Sequence, residues 1–403
     1  MSDGTIVAAA EIGTSKVAVL IGEVSSAGRL TILGHGKCTS TGVRKGEFHD
    51  LRKVRDCLQS ALQNAEESAA TSVDSLFLAQ TGGHLEGKFN EGIANVRNAN
   101  GIVQQEDVDR ACRDAKECNP PAERLWVLHI RNPFRLDDRV VDEPVGAKGS
   151  RLSACYWSVS GHSRVIQEQI RLLNHISLEV DDLILSSTAS AEAVLQSSEK
   201  EAGCIVLDIG GGTTDYAFYQ GGYIVRAGVI PVGGDHITND LSIGLRINVS
   251  WAETLKQQHG NALAHPESRE RKVWAKGDHS IGDRECCLHS VHTIIESRMR
   301  ELFGIVRKEW DDVLDGHKPG AGVVITGGTS QLNGIEELAT KVFACPVRIG
   351  TPPSRIDPAI SGPEFSTSVG LLMYAARSDG VLRGDPRPVA PSRLFKKLTG
   401  LFR

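Results

Sequence analysis

One stretch constrains the fold more than any other: Cys204-Ile-Val-Leu-Asp-Ile-Gly-Gly-Gly-Thr-Thr-Asp-Tyr-Ala-Phe218. An apolar run leads into three glycines, two threonines and a second alternating run, with Asp208 and Asp215 on either side of the turn. The run from Cys204 to Leu207 predicts a buried strand. Gly210, Gly211 and Gly212 let the backbone approach a ligand closely and reach positive φ without a Cβ clash. Successive N–H groups then face one concavity, which suits phosphate oxygens. Thr213 and Thr214 add hydroxyl donors. Asp208 and Asp215 stand where a cation could sit, and Mg²⁺ on phosphates keeps waters and needs only one or two carboxylates. The expectation is a strand–turn–strand hairpin that grips a nucleotide phosphate. A plain glycine turn would need fewer useful groups.

The stretch has a counterpart near the start. Glu11-Ile-Gly-Thr-Ser-Lys16 is again strand, polar turn, strand, with an acid at its head, and here a lysine. Strands are expected at 5–12, 17–24 and 30–34, a helix capped by Asp50 runs to Ser68, and 75–80 is a strand. Two such hairpins, each opening an α/β unit, predict a duplicated fold with a ligand between the halves. A third turn, Thr326-Gly-Gly-Thr329, follows a strand at 321–325, where a purine and ribose could rest.

Between the halves, 82–162 breaks often at Gly, Asn and Pro and reads as an inserted subdomain. It holds one helix at 105–117 and strands near 124–130 and 152–160. Gly82-Gly-His-Leu-Glu-Gly-Lys88 imitates a P-loop, but Phe89 replaces the required hydroxyl and no helix start follows. Ser163 is expected to cap a helix to Asn174, with a strand at 183–185 and a helix at 189–199. A strand is expected at 222–232, helices at 236–245 and 250–259, irregular polar chain at 261–285, a long amphipathic helix at about 287–313, and a helix at 334–343.

Composition excludes several classes. The net charge of −5 makes a nucleic-acid binder an unsupported reading. No apolar run is long enough to span a membrane, and Met-Ser-Asp-Gly is no signal peptide. The nine cysteines form no C-x-x-C, and all are read as reduced thiols of a cytoplasmic protein. The proline-rich 378–392 reads as a linker. Beyond it, Arg393-Leu-Phe-Lys-Lys-Leu-Thr-Gly-Leu-Phe-Arg403 is amphipathic as a helix. Leu394, Phe395, Leu398, Leu401 and Phe402 fall on an arc of about 120°. Arg393, Lys396, Lys397 and Arg403 occupy the other side with no acid. Such a helix suits reversible anchoring to an anionic membrane surface.

These residues resemble a known superfamily. An acid-x-G-T turn in the first hairpin, Asp208-Ile-Gly-Gly-Gly-Thr-Thr-Asp215 midway and Val324-Ile-Thr-Gly-Gly328 near the end mark the actin/chaperone/sugar-kinase ATPases. Within that group the chain resembles the FtsA family of bacterial cell-division proteins. The likeness rests on Ala10-Glu-Ile-Gly-Thr-Ser-Lys-Val-Ala18, Glu143-Pro-Val-Gly146, Ile230-Pro-Val-Gly-Gly-Asp-His-Ile-Thr238, Gly327-Gly-Thr-Ser-Gln-Leu-Asn-Gly334 and the basic tail.

The resemblance implies a duplicated actin-like α/β fold of the ribonuclease H-like kind. The first large subdomain would span 1–81, 163–199 and 362–377, and the inserted one 82–162. The second large subdomain would span 200–240 and 314–361, with its small companion at 241–313. A linker at 378–392 and a membrane-targeting helix at 393–403 would follow.

It implies ATP with Mg²⁺. Gly13, Thr14, Ser15 and Lys16 would hold phosphates from one side, and Gly210, Gly211, Gly212, Thr213 and Thr214 from the other. Glu11 and Asp208 would reach Mg²⁺ through water, Gly233 and Gly234 the ribose–phosphate, and Glu253, Lys256, Gly327 and Gly328 the adenosine. The stretch 184–190 offers no Glu, Gln or His to orient a water, so turnover is expected to be slow or negligible. Implied partners are the C-terminal peptide of FtsZ (with Arg298 as the candidate contact), other copies of the chain in a filament, anionic lipids and later divisome membrane proteins. The place is the cytoplasmic face of the inner membrane at the division site. A sugar kinase, which would not need the tail, and a pilus-type or MreB-like scaffold are the other readings.

Overall fold

The computed structural model describes residues 4–117, 120–275, 282–314, 318–354 and 356–378. The linker beyond Ser378 and the tail at 393–403 therefore lie outside the described residues. The chain opens with β1 (Thr5–Ile12), β2 (Lys16–Val24), β3 (Leu30–Thr39), the short β4 (Val43–Arg44) and β5 (Glu47–Phe48), α1 (Leu51–Ala69) and β6 (Ser75–Gln80). The inserted part contributes β7 (Glu86–Asn95), α2 (Gln105–Lys116), β8 (Arg124–Arg131), β9 (Phe134–Leu136), β10 (Arg139–Val141) and β11 (Arg151–His162). Then come α3 (Ser163–Asn174), β12 (Glu179–Leu185), α4 (Ser186–Val194) and α5 (Ser197–Ala202). The second half has β13 (Cys204–Ile209), β14 (Thr214–Gln220), β15 (Tyr223–Ile230), α6 (Gly234–Leu245), α7 (Val249–His259), β16 (Lys272–Ala275), β17 (Arg284–Cys287) and α8 (Leu288–Leu314). It ends with β18 (Val323–Thr326), α9 (Ile335–Phe343), β19 (Val347–Ile349) and α10 (Ser366–Ser378).

The duplication is explicit in the two large sheets. The first runs β12-β6-β1-β2-β3 and the second β19-β18-β13-β14-β15. In each, a hairpin pairs with a third antiparallel strand, and the hairpin's first strand pairs in parallel with a later one. The helix after each sheet's last strand, α4 or α10, occupies the equivalent place, and these two helices pack on one another. They cross so closely that a Cβ on Gly370 would collide with the carbonyl of Ala189. α4 reads Ser-Ser-Thr-Ala-Ser-Ala-Glu-Ala-Val and is buried on nearly every side. Small side chains permit that approach, and the surrounding contacts replace an amphipathic stripe.

The insert carries its own sheet, with β7, β8 and β9 all paired to β11, and its own small core around Phe134, Leu152 and Tyr156. It also reaches the second half. The Trp157 indole N–H donates to the Ala227 carbonyl of β15 at 2.8 Å, and the Tyr223 hydroxyl donates to Asp142 at 2.8 Å.

Several local expectations are corrected. Ser163 does not cap α3: its hydroxyl donates to the Glu123 carbonyl at 2.9 Å, and His162 at the cap makes no side-chain bond. The expected helix 189–199 is two helices, because Leu195 is extended and Arg348 donates to the Val194 carbonyl and to Glu199 at 2.7 Å. Strand β7 was not anticipated. Its inward positions are Asn90, Gly92 and Ala94, so it lacks apolar alternation, and Phe89 faces solvent. The false P-loop runs into this strand, which leaves Lys88 exposed. The segment 261–285 contains β16 and the start of β17, which pair antiparallel. Every described cysteine is a free thiol.

Gly370→Ala should lower stability by about 1–3 kcal/mol or more, the usual cost of overpacking. A drop of several degrees in the thermal midpoint of the full chain checks this, and an unchanged midpoint would show that the α4–α10 crossing is not tight.

Candidate functional site

The two hairpins are built alike at their ends. Gly13 N–H donates to the Lys16 carbonyl at 2.9 Å and Gly210 N–H to the Thr213 carbonyl at 2.9 Å, so each tip has two residues. One tip is Thr14-Ser15 and the other Gly211-Gly212. They meet at the edge of a cleft of about 650 Å³ between the halves, which both line. A Cβ on Gly211 would collide with Ser15 Oγ, and one on Gly212 with Thr14 Oγ1 and the backbone of Lys45. None of Gly210, Gly211 and Gly212 has positive φ. The glycines are thus needed for close approach, which corrects the expectation of left-handed backbone.

Their carbonyls are engaged by the start of α6 and by Thr329. Gly210 O accepts from Gly234 N–H at 2.9 Å and from Thr329 Oγ1 at 3.0 Å, while Gly211 O accepts from Asp235 N–H at 2.8 Å. In a trans peptide the following N–H points opposite to the carbonyl. The N–H groups of Gly211 and Gly212 therefore point away from α6, and Gly210, Gly211, Gly212 and Thr213 all line the cleft.

Beside the tips lie three carboxylates, Asp208 and Asp215 buried and Glu11 partly so. Asp208 accepts hydrogen bonds from Ser190 of α4 and from Thr367 of α10, the latter at 2.6 Å. Gly327, at φ +86°, leaves room that a Cβ would take from Asp208. Asp215 stands opposite Asp208 in the hairpin register and accepts from Thr81 at 2.8 Å and Thr213 at 3.2 Å. Glu11 pairs with Lys16 at 2.6 Å.

Burial is the first cause that raises the carboxyls of Glu11 and Asp208, and it is opposed by Lys16 at Glu11 and by the Ser190 and Thr367 hydroxyls at Asp208. Asp215 is pushed well above the ordinary carboxylate range, by burial and then by the Asp208 charge. One oxygen of Glu11 and one of Asp215 are buried without a partner. Orphaned buried carboxylate oxygens are costly unless a cation or donor meets them. Among the described residues no three metal-ligating side chains form a cage. This donor set fits a hydrated divalent cation that is itself held by ligand phosphates.

The far wall comes from the second half. Lys256 Nζ contacts Glu253 at 2.7 Å, Thr238 at 2.9 Å and the Gly234 carbonyl at 3.1 Å. Glu253 and Lys256 are thus joined to α6 and line the cleft, rather than forming a solvated helix pair. Gly327, Gly328, Thr329, Gln331, Leu332 and Asn333 continue this wall, and Gln331 donates to Glu364 at 3.1 Å.

Two expected residues are not at the cleft surface. Thr214 lies on the opposite strand face, fully buried, with its hydroxyl donated to the Val232 carbonyl at 2.8 Å. Gly233 caps α6 behind the hairpin, where a Cβ would press on the Gly210 and Gly211 carbonyls. Arg298 is also committed. Its guanidinium bonds Asp240 of α6 at 2.6 and 2.9 Å and Glu301 at 2.6 Å, so it fastens α8 to α6.

The sequence reading missed Lys37, Thr81, Asp235, Thr329, Glu364 and Thr367, all of which line the cleft. Asp235 and Thr329 each follow a flagged glycine pair, which was an available signal. Thr81 directly precedes the false P-loop, and Lys37, Glu364 and Thr367 come from segments with no motif.

Comparison with known proteins gives the family. A family model described as "Cell division protein FtsA" matches residues 205–370, and one described as "SHS2 domain inserted in FTSA" matches 82–160. Cell division protein FtsA of Pseudomonas aeruginosa is 34% identical over 394 residues, covering 94% of this chain and 92% of that protein. That of Escherichia coli is 34% identical over 387 residues, again covering 94% and 92%. Among solved structures, the PilM–PilN type IV pilus biogenesis complex aligns with a TM-score of 0.65 at 15% identity, covering 92% of this chain and 98% of that one. MreB5 of Spiroplasma citri bound to ADP aligns with a TM-score of 0.52 at 13% identity, covering 91% and 94%. These likenesses confirm an actin-like fold. Identity of 34% sustained over nearly the whole length, with the insert matched by its own model, means that the chain belongs to the FtsA family of cell-division proteins.

Proposed function

We propose that this chain binds ATP with Mg²⁺ in the cleft, and that occupancy governs its assembly on the inner face of the cytoplasmic membrane, where it tethers FtsZ filaments at the division site. One observation carries the nucleotide reading: two hairpin tips that meet with no room for a Cβ, flanked by buried, under-partnered carboxylates. In this reading Gly13, Thr14, Ser15 and Lys16 hold phosphates from one side, and Gly210, Gly211, Gly212 and Thr213 from the other. Glu11 and Asp208 hold Mg²⁺ through its waters. Glu253, Lys256, Gly327 and Gly328 receive the adenosine. When bound, the cation would supply the positive charge that both phosphates and carboxylates need. The lining carries Glu11, Asp208, Asp215, Asp235, Glu253 and Glu364 against Lys16, Lys37 and Lys256, so a polyphosphate without a cation would enter an already acidic cleft.

Turnover is proposed to be slow. Ser186 opens α4 at the cleft wall, and residues 184–190 offer no amide, carboxylate or imidazole to orient an attacking water.

The subdomain division expected from the sequence is retained as part of this proposal. Residues 393–403 anchor the chain to anionic lipid, other copies extend a filament, and later divisome membrane proteins are recruited to it. The FtsZ peptide docks on 241–313. Arg298 takes part only by exchanging Asp240 or Glu301 for a carboxylate of the peptide.

Co-sedimentation with anionic vesicles tests the whole reading. The full chain should carry FtsZ polymers into the vesicle pellet, and removal of 393–403 should abolish this. Failure to recruit FtsZ in every nucleotide state would sink it. Asp208→Ala should weaken Mg²⁺-dependent ATP binding by about tenfold or more. Steady hydrolysis by the parent chain at roughly 1–10³ s⁻¹ would overturn slow turnover.

The raised carboxyls give a pH prediction. Their folded pKa values exceed the unfolded ones, so the folded state binds more protons. Their contribution to stability is full below the unfolded values and is lost as pH rises through the folded ones. Nucleotide-free Asp215→Asn should therefore melt above the parent, with a gap that widens as pH rises above the ordinary carboxylate range. A constant gap would mean that Asp215 does not titrate there.

A further inference from the structure

Three lysines line the cleft: Lys16, Lys37 and Lys256. Lys16 is neutralised by Glu11 at 2.6 Å and Lys256 by Glu253 at 2.7 Å. Lys37 is different. It sits on β3 opposite Ala18 of β2, and among the described residues no carboxylate pairs with it. Its ammonium lies 5.2 Å from the centre of the Phe365 ring, which holds Lys16 Nζ at 5.6 Å as well. Phe365 is itself buried, and it directly precedes α10, whose Thr367 bonds Asp208. A fixed aromatic face thus holds an exposed but uncommitted cation at the cleft, on the wall of the first half. Cation–π contact favours this placement without discharging the ammonium.

We infer that Lys37 is a further phosphate contact of the cleft, supplying the positive charge that Lys16 and Lys256 have already spent on Glu11 and Glu253. The inference rests on the nucleotide reading of the site and deepens it. Six carboxylates against three lysines leave the lining net acidic if all are ionised. An ammonium with no partner of its own gains the most from an arriving polyanion, because it gives up no ion pair to meet it. The same reasoning makes the contact sensitive to the number of phosphates and to salt, since an exposed charge is screened.

The test is nucleotide affinity of the full chain, by calorimetry in Mg²⁺ buffer, with ATP, ADP and adenosine as probes. The parent chain and Lys37→Gln are compared, with Lys37→Arg as the conservative variant. Lys37→Gln should weaken ATP by about 5- to 20-fold and ADP by less, and leave adenosine unchanged. Lys37→Arg should restore most of the loss, and added salt should narrow the gap between parent and Lys37→Gln. An unaltered ATP affinity in Lys37→Gln overturns the inference, and so does a loss that is equal for adenosine. Absence of any nucleotide binding by the parent chain overturns the nucleotide reading itself, a distinct outcome. The position is exposed, so an unchanged melting profile establishes that the variant is folded.

Discussion

The carboxylate of Asp208 ties α4 and α10 to the cleft. It is fixed by a hydroxyl from α4 and another from α10, the two equivalent helices whose crossing joins the halves. Removing a carboxylate from water is expensive, and two hydroxyl donors with a neighbouring lysine only partly offset it. The site therefore has unmet demand for positive charge, in Asp208 itself and in the unpaired oxygens of Glu11 and Asp215. A ligand that brings a cation would answer that demand.

Duplication explains why the cleft has matching jaws. The same hairpin occurs at the same place in two sheets of the same order, so the tips converge from opposite sides. What differs is chemistry. The first tip carries hydroxyls, and the second is bare backbone, because there is no space for more. The insert then touches the second half through Trp157 and Ala227, and Arg226 beside that tryptophan pairs with Glu309 of α8 at 2.6 Å. A rotation of one half against the other must strain this chain of contacts.

Long periodic elements and glycine turns were legible in the sequence. The stripe of Val291, Ile295, Met299, Leu302, Val306 and Trp310 marks α8 without any tertiary information. Strand β7 was not legible, since Asn90, Gly92 and Ala94 point inward where α2 lies against the sheet. In the site, the glycines of the motifs were found, whereas Asp235 and Thr329 beside them and single residues from α10 and β3 were not. Thr367 and Lys37 acquire their roles from what lies opposite them, and no local pattern encodes that.

The sequence by itself determined the duplicated α/β plan, the two phosphate-type turns and the acids at their heads, because backbone geometry and strand periodicity are local. Only the tertiary structure decided which threonine faces the cleft, that the glycines serve close approach rather than positive φ, that Arg298 is engaged by Asp240, and that Lys37 stands uncommitted. Those are questions of what meets across tens to hundreds of residues of chain, and packing settles them.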